Sequence, residues 1–138
     1  MRRILSCLGL CAVCWASAAQ DVVARNGWVR LPLPSKNETA LYVVLENHGA
    51  QKHSVVGGTS DSAAAIELHE MKMLKSAMYM APVKEVKIPA NGKASFTPES
   101  YHVMLFGLKS KLAVGDTVNV TLKLDDGSTV PVAATVRK

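Results

Sequence analysis

Cysteine is missing from most of this 138-residue chain. The three cysteines, Cys7, Cys11 and Cys14, all fall within the first 15 residues, and residues 20–138 contain none. That absence excludes structural disulfides and thiolate metal ligands from the larger part of the chain. About 119 residues remain beyond this segment, which is long enough to bury one hydrophobic core without disulfides.

The excess of one charge sign is also small. The chain carries 16 Lys and Arg against 11 Asp and Glu, which gives a net charge of +5. Two of the basic residues, Arg2 and Arg3, belong to the N-terminal segment, so the rest of the chain has a net charge of about +3. Its basic residues are dispersed, and a nucleic-acid-binding surface is not expected.

No apolar run is long enough to cross a bilayer as an uncleaved anchor. The run at residues 4–15 follows two arginines and precedes four small residues, which is typical of a secretory signal peptide. We predict a signal peptide over residues 1–19 and one exported domain over residues 20–138 that is not inserted in the membrane. No cysteine follows a convincing lipoprotein signal, so a lipid anchor is not expected.

Short β-branched runs recur with turn residues between them, which is the pattern of a β-sandwich or barrel. The predicted strands are 40–46, 65–69, 83–88, 101–106, 118–124 and 130–136. Asn91-Gly92 and Asp126-Gly127 are dipeptides favoured in hairpin turns. No stretch sustains a helical period for three turns. The sequence therefore predicts an all-β single domain.

Methionine and histidine are concentrated in two segments. Four methionines fall within ten residues, at positions 71, 73, 78 and 80. Taken singly, a methionine is most often core filler and a histidine a structural residue. In a strand, however, residues two apart share a face, so His102 and Met104 present an imidazole and a thioether side by side.

The methionine-rich segment 68–80 is predicted to fold back on itself, with a turn at positions 75 and 76. In the register that pairs Met73 with Met78, Met71 pairs with Met80, and His69 lies one pair further along the same face. The hairpin therefore brings His69 and Met80 to one side.

Two imidazoles and two thioethers, from His69, Met80, His102 and Met104, form a soft ligand set that favours Cu(I) over hard cations. Zinc more often uses cysteine or carboxylate beside histidine. A blue-copper electron-transfer site requires a cysteine thiolate, which residues 20–138 lack. We therefore predict a Cu(I) site with these four ligands, in a carrier and not a redox protein.

The same residues resemble the motif of the periplasmic copper chaperone family PCuAC. In that motif ten residues separate His from Met, twenty-one separate this Met from the second His, and one precedes the last Met. His69, Met80, His102 and Met104 match these spacings without adjustment. The resemblance extends over nearly all of the predicted domain.

Membership of that family implies a cupredoxin-like (Ig-like) β-sandwich with a solvent-accessible Cu(I) site near one end. It also implies delivery of copper toward the CuA centre of cytochrome c oxidase, often alongside Sco-type proteins. The expected partners are thus a copper ion, the CuA subunit and Sco-type proteins. The alternative is a periplasmic copper-buffering or resistance protein without a dedicated acceptor.

An enzyme is not expected, because no general base, nucleophile or further histidine set converges on the four ligands. Met71, which lies near them, has three possible roles: a fifth, weak ligand, a residue that supports the ligands, or a packing residue. We favour the supporting role. Met73 and Met78 are expected to form an apolar collar around the metal.

Five other polar or aromatic residues have less specific interpretations. Glu67 and Glu70 either orient His69 or are solvated, and solvation is slightly preferred. His48 and His53 are expected on the surface. Trp28 is expected in the core.

Overall fold

A computed structural model describes residues 21–138, so the predicted signal peptide at residues 1–19 lies outside the described residues. The regular elements of the described part are all β-strands, as predicted. None of it forms a helix that could span a membrane. The ten strands are β1 (Val22–Arg30), β2 (Glu38–Asn47), β3 (His53–Ser60), β4 (Ala63–Leu74), β5 (Ala77–Pro82), β6 (Val86–Ile88), β7 (Lys93–Phe96), β8 (Tyr101–Leu108), β9 (Thr117–Leu124) and β10 (Thr129–Arg137).

The strands form two layers that are joined through β1. Their order is β5-β4-β8-β7-β2-β1-β10-β9-β3-β6, with a further pairing between β8 and β2. β1 pairs antiparallel with β2 and parallel with β10, which connects the two halves of the sheet. The halves then face each other, because β3 contacts β4 and β6 contacts both β2 and β7. The prediction of a single-domain β-sandwich is confirmed.

The core between the layers follows the two-residue period of the strands. In β9 and β10 every second side chain is buried and the intervening ones are exposed. The buried side chains pack with residues from most of the other strands into one apolar cluster, which includes Leu41, Leu45, Ile88, Leu105 and Leu122. Full burial of a side chain of this size contributes about 1.5–3 kcal/mol.

β8 is covered on both of its faces. Val103 and Leu105 point into the main core, whereas His102 and Met104 point to the opposite face. On that opposite face Met104 packs in a smaller cluster with Ala40, Tyr42, Trp28 and Phe106. Trp28, expected in the core, is partly buried against this smaller cluster and not in the main one, with its ring 4.7 Å from that of Tyr42 between centroids.

One predicted hairpin turn is confirmed and the other is wrong. Asp126-Gly127 joins the antiparallel strands β9 and β10, and Gly127 adopts the positive φ of 87° that favours glycine. Asn91-Gly92 joins β6 to β7, which do not pair. β6 pairs with β3, and β7 pairs with β2 and β8, so this turn connects the two layers.

The β4–β5 hairpin has the predicted register. Met73 pairs with Met78 and Met71 pairs with Met80. The two-residue turn consists of Lys75 and Ser76, which both have positive φ, at 49° and 68°. Pairing of β4 with β8 ends at Glu70, and the backbone N–H of Met71 makes a last hydrogen bond to the carbonyl of Ser100. Beyond it, the tip of the β4–β5 hairpin extends past the neighbouring strand as a free hairpin.

Replacing Lys75 by Asn and Ser76 by Gly is expected to stabilise the protein by about 1 kcal/mol. The left-handed backbone conformation is unfavourable for residues other than glycine and, to a lesser degree, asparagine. Asn-Gly is therefore the preferred pair in two-residue turns in which both residues have positive φ. The expected rise in Tm is about 4 °C, measured by thermal unfolding in circular dichroism. The same two substitutions at Lys109 and Ser110, an exposed Lys-Ser pair without positive φ, are the control and should give no increase. An equal rise in both variants would contradict the explanation.

Candidate metal centre

Three neighbouring strands bring the predicted ligands together. His69 on β4 is directly opposite His102 on β8, and their rings lie 6.1 Å apart between centroids. From β5, the Sδ atom of Met80 lies 2.9 Å from Nε2 of His102. Met104 lies two residues beyond His102 on the same face of β8. The register of the hairpin and the alternation of β8 thus bring the four side chains to one region of the sheet face.

A cleft of about 410 Å³ opens at this point. Met80, His102 and Met104 line it, together with Met71, while His69 lies beside it. A larger cleft of about 620 Å³ lies between residues 31–37 and 108–112 and contains none of the four predicted ligands.

Exposure differs sharply among the four residues. His102 and Met104 are only 2% and 5% exposed, and the side chain of His69 is largely covered, whereas Met80 is 49% exposed. Met80 belongs to β5, the edge strand of the sheet, while the two buried residues belong to a strand with neighbours on both sides. An ion bound by these four side chains would therefore be enclosed from the sheet side and reached by solvent at Met80.

Two buried nitrogen atoms at the site have no hydrogen-bond partner. Among residues 21–138, the buried side-chain nitrogen and oxygen atoms left unpaired are Nδ1 of His69 and Nδ1 of His102. Leaving such an atom unpaired costs about 1–3 kcal/mol, so native proteins rarely do so without a reason. Both atoms belong to predicted metal ligands, so each ring can donate a lone pair to a metal ion from Nδ1, although at His102 the ring nitrogen beside the Met80 thioether is Nε2.

The Glu67 carboxylate is hydrogen-bonded to the other ring nitrogen of His69. Its Oε2 atom lies 2.9 Å from Nε2 of His69 while the side chain stays exposed, so Glu67 is solvated, as slightly preferred, and also contacts His69. A metal-binding histidine commonly donates its second ring N–H to a carboxylate, which fixes the tautomer and leaves the first nitrogen free to ligate. Glu70 instead pairs with Lys72, at 3.2 Å.

The pKa of His102 lies below its usual value of 6.5, first because the ring is buried and then because of the nearby charge of His69. The backbone of Ser100 acts in the opposite direction, and Arg30, which lines the cleft, lowers the pKa slightly further. His102 is therefore neutral at neutral pH, which is the form that can donate a lone pair to a metal.

The remaining predicted neighbours divide into two groups. Met71 lines the cleft beside Met80. Met73 and Met78 share its face of the hairpin, but they lie one pair further out and are exposed, so the expected apolar collar around the cleft is wrong. Away from the site, His48 is exposed as expected, whereas His53 is largely covered beside Asp125 and Asp126.

The structure also adds aromatic residues that the sequence pattern did not single out. The ring of Tyr42 lies 6.2 Å from that of His102, and the ring of Phe106 lies 6.0 Å from that of His69. The Arg30 guanidinium stands over Tyr42 at 5.7 Å. No sequence signal marks Tyr42, because β2 is buried on both faces and lacks the alternation that would assign a side chain to one of them.

The fold and the arrangement of strands define a class, the cupredoxin-like β-sandwich of PCuAC domains. The copper-bound PCuAC domain from PmoF2 superposes with a TM-score of 0.71 and 19% identity over 87% of this chain and 95% of that domain. The predicted fold class is thereby confirmed.

The chain belongs to the PCuAC family. The profile described as "Putative lipoprotein LpqE-like", which represents that family, matches residues 22–136. "Putative lipoprotein Lxx21020" of Leifsonia xyli subsp. xyli is 36% identical over 120 residues, which are 86% of this chain and 71% of that protein. The solution structure of CuI-DR1885 from Deinococcus radiodurans is 39% identical over 88% of this chain and 82% of that one, with a TM-score of 0.65.

Proposed function

We propose that this protein binds one Cu(I) ion through His69, Met80, His102 and Met104. The observation that carries the proposal is the convergence of two facing histidines, whose Nδ1 atoms have no hydrogen-bond partner, with two thioethers, one of which lies 2.9 Å from Nε2 of His102. Thioether and imidazole donors favour Cu(I), which is also the ion in the solution structure of the relative from Deinococcus radiodurans. Glu67 orients His69, and the low pKa of His102 keeps protons from competing with the metal.

The bound ion is cargo, and the protein is a chaperone and not an enzyme. Because Met80 is exposed while His102 and Met104 are buried, an acceptor ligand can replace Met80 first and draw the ion out through mixed coordination. Thioethers carry no proton and form no disulfides, which suits release outside the cytoplasm. Membership of the PCuAC family supports delivery to the CuA centre of cytochrome c oxidase, with the CuA subunit and Sco-type proteins as partners.

The proposed place of this delivery is the periplasm, reached by a signal peptide at residues 1–19 that precedes a domain at residues 20–138. The description of the family as lipoproteins supports export. Export can be tested by cell fractionation of the tagged full chain, with acyl labelling to detect a lipid on Cys7, Cys11 or Cys14. We expect a soluble periplasmic product without label, and a labelled membrane product would contradict this proposal.

Anaerobic titration with Cu(I) followed by X-ray absorption tests the site directly. We expect strong binding of one equivalent with both sulfur and nitrogen neighbours around the ion. A spectrum with sulfur neighbours only would contradict the participation of the histidines.

Delivery and buffering are separated by a transfer assay. The Cu(I)-loaded protein is mixed with a purified apo-CuA domain. Because the CuA centre is mixed-valence, oxidised copper is then added, and formation of the centre is followed by its absorption.

In a deletion strain at limiting copper we expect reduced oxidase activity and CuA content. A normal oxidase together with raised copper sensitivity would favour buffering.

Glu67→Gln is expected to weaken Cu(I) binding by about tenfold. Supporting residues of this kind typically contribute 10- to 100-fold, and the lower end applies because the Glu67 side chain is 54% exposed. Competition with a chromophoric Cu(I) chelator measures the change. Glu70→Gln removes a carboxylate that does not contact His69 and should leave the affinity unchanged. Equal losses in both variants would show a general charge effect.

A further inference from the structure

Four methionines share one face of the free β4–β5 hairpin, although the proposed site uses only one of them. Met71 and Met80 form one cross-strand pair, and Met73 and Met78 form the next pair toward the turn. The backbone N–H of Val83 donates to the carbonyl of Leu68, which fixes the alternation of hydrogen bonds along the hairpin. Both methionine pairs then occupy positions without direct hydrogen bonds, where facing side chains lie closest.

Packing does not explain the outer pair. Met73 is 70% exposed and Met78 is 49% exposed, and neither belongs to an apolar cluster of the described residues. Side chains on directly opposite positions have Cβ atoms about 4.5–5.5 Å apart, so two flexible thioethers can reach one ion between them. The opposite face of the same hairpin carries Lys72 and Tyr79 and has no sulfur.

We propose that Met73 and Met78 form an outer Cu(I) site through which copper enters or leaves the inner site. The proposal rests on the function proposed above. Successive pairs on one strand face are about 7 Å apart. The pair Met71 and Met80 lies between the outer pair and the cleft, and Met80 already contacts His102. The face thus offers thioethers at short intervals from the exposed tip to the buried histidine.

The transfer along this face is ligand exchange without a redox step. A copper–sulfur bond to Met80 forms while the bond to Met78 breaks, and a copper–nitrogen bond to His102 then forms while the bond to Met73 breaks. Copper stays in the +1 state, and the thioethers release no proton because they carry none. With two thioethers and no imidazole, the outer site binds Cu(I) more weakly than the inner site, and its affinity does not depend on pH in the range where histidine titrates.

Methyl NMR of protein labelled with [13C-methyl]methionine distinguishes the two sites. Residues 21–138 contain five methionines, so five resonances are assigned through single Met→Leu variants. Cu(I) is added anaerobically as its acetonitrile complex. We expect the first equivalent to shift the methyls of Met80 and Met104, and the second to shift those of Met73 and Met78.

The variant Met73→Leu with Met78→Leu keeps an apolar tip but removes its sulfur. We expect it to lose the second-equivalent response, retain the first, and load more slowly from Cu(I)-glutathione. Tyr79→Leu changes the sulfur-free face of the same hairpin and serves as the control, with both responses retained. Circular dichroism verifies that the variants fold.

Two results would overturn the outer site. One is a wild-type protein in which Met73 and Met78 stay unshifted at several equivalents of Cu(I). The other is a double leucine variant that loads as fast as wild type, which would identify the tip as an apolar surface only. Failure of the first equivalent to shift Met80 and Met104 would instead overturn the inner site, so the two proposals fail separately.

Discussion

Replacing His102 and Met104 together by leucine is expected to lower the affinity for Cu(I) by more than about 100-fold. Loss of a residue that only supports a ligand costs up to about 100-fold, and this variant removes two proposed ligands at once. Both residues are almost fully buried, so solvent cannot easily substitute for them. The measurement is anaerobic competition with a chromophoric Cu(I) chelator at pH 7.5.

The fold should survive these substitutions. Leucine conserves the volume of methionine at a cost below about 1.5 kcal/mol, and the change at His102 also removes a buried nitrogen without a partner. The control is His48→Leu, which removes an exposed histidine that does not line the cleft. Unchanged Cu(I) affinity in the double variant, with a normal unfolding transition, would refute the assignment of His102 and Met104.

The sequence predicts the relative placement of the four candidate ligands well because two strong local rules apply. Alternation along β8 puts His102 and Met104 on one face, and the two-residue turn fixes the pairing of Met71 with Met80. Local rules do not predict the pairing of β4 with β8, which places His69 opposite His102. That contact joins segments more than thirty residues apart, so it depends on the global topology.

The strands that the pattern missed explain the rest of the difference. β1 and β3 contain polar residues or glycines that interrupt alternation, and β1 also bends at a bulge between Arg25 and Trp28. β7 does alternate, but it is only four residues long. The run predicted at 83–88 contributes only Val86–Ile88 to β6. Asn91-Gly92 predicts a hairpin wrongly because a dipeptide specifies only a local turn. The strands with which the flanking segments pair are set by packing between the layers.

Acidification is expected to weaken Cu(I) binding, with a midpoint below the ordinary histidine pKa of about 6.5. Burial and the charge of His69 lower the pKa of His102, so its proton competes with copper only at more acidic pH. Below that pKa, protonation of His102 alone should reduce the affinity by about tenfold for each pH unit. Chelator competition between pH 7.5 and 4.5 measures the profile. A flat profile over this range would show that thioethers alone hold the ion.

The same pKa shift predicts how the metal-free protein responds to acid. On acidification the unfolded chain binds a proton at His102 before the folded chain does, because the pKa of His102 is lower in the folded state. The free energy of unfolding should therefore fall as pH drops from about 6.5 toward the folded pKa, and this contribution should then level off. Urea unfolding at several pH values measures it. Because other groups titrate as well, the comparison is with His102→Leu, in which the decrease should be smaller. An equal decrease in both proteins would show that His102 is protonated equally in the folded and unfolded states, which its burial beside His69 argues against.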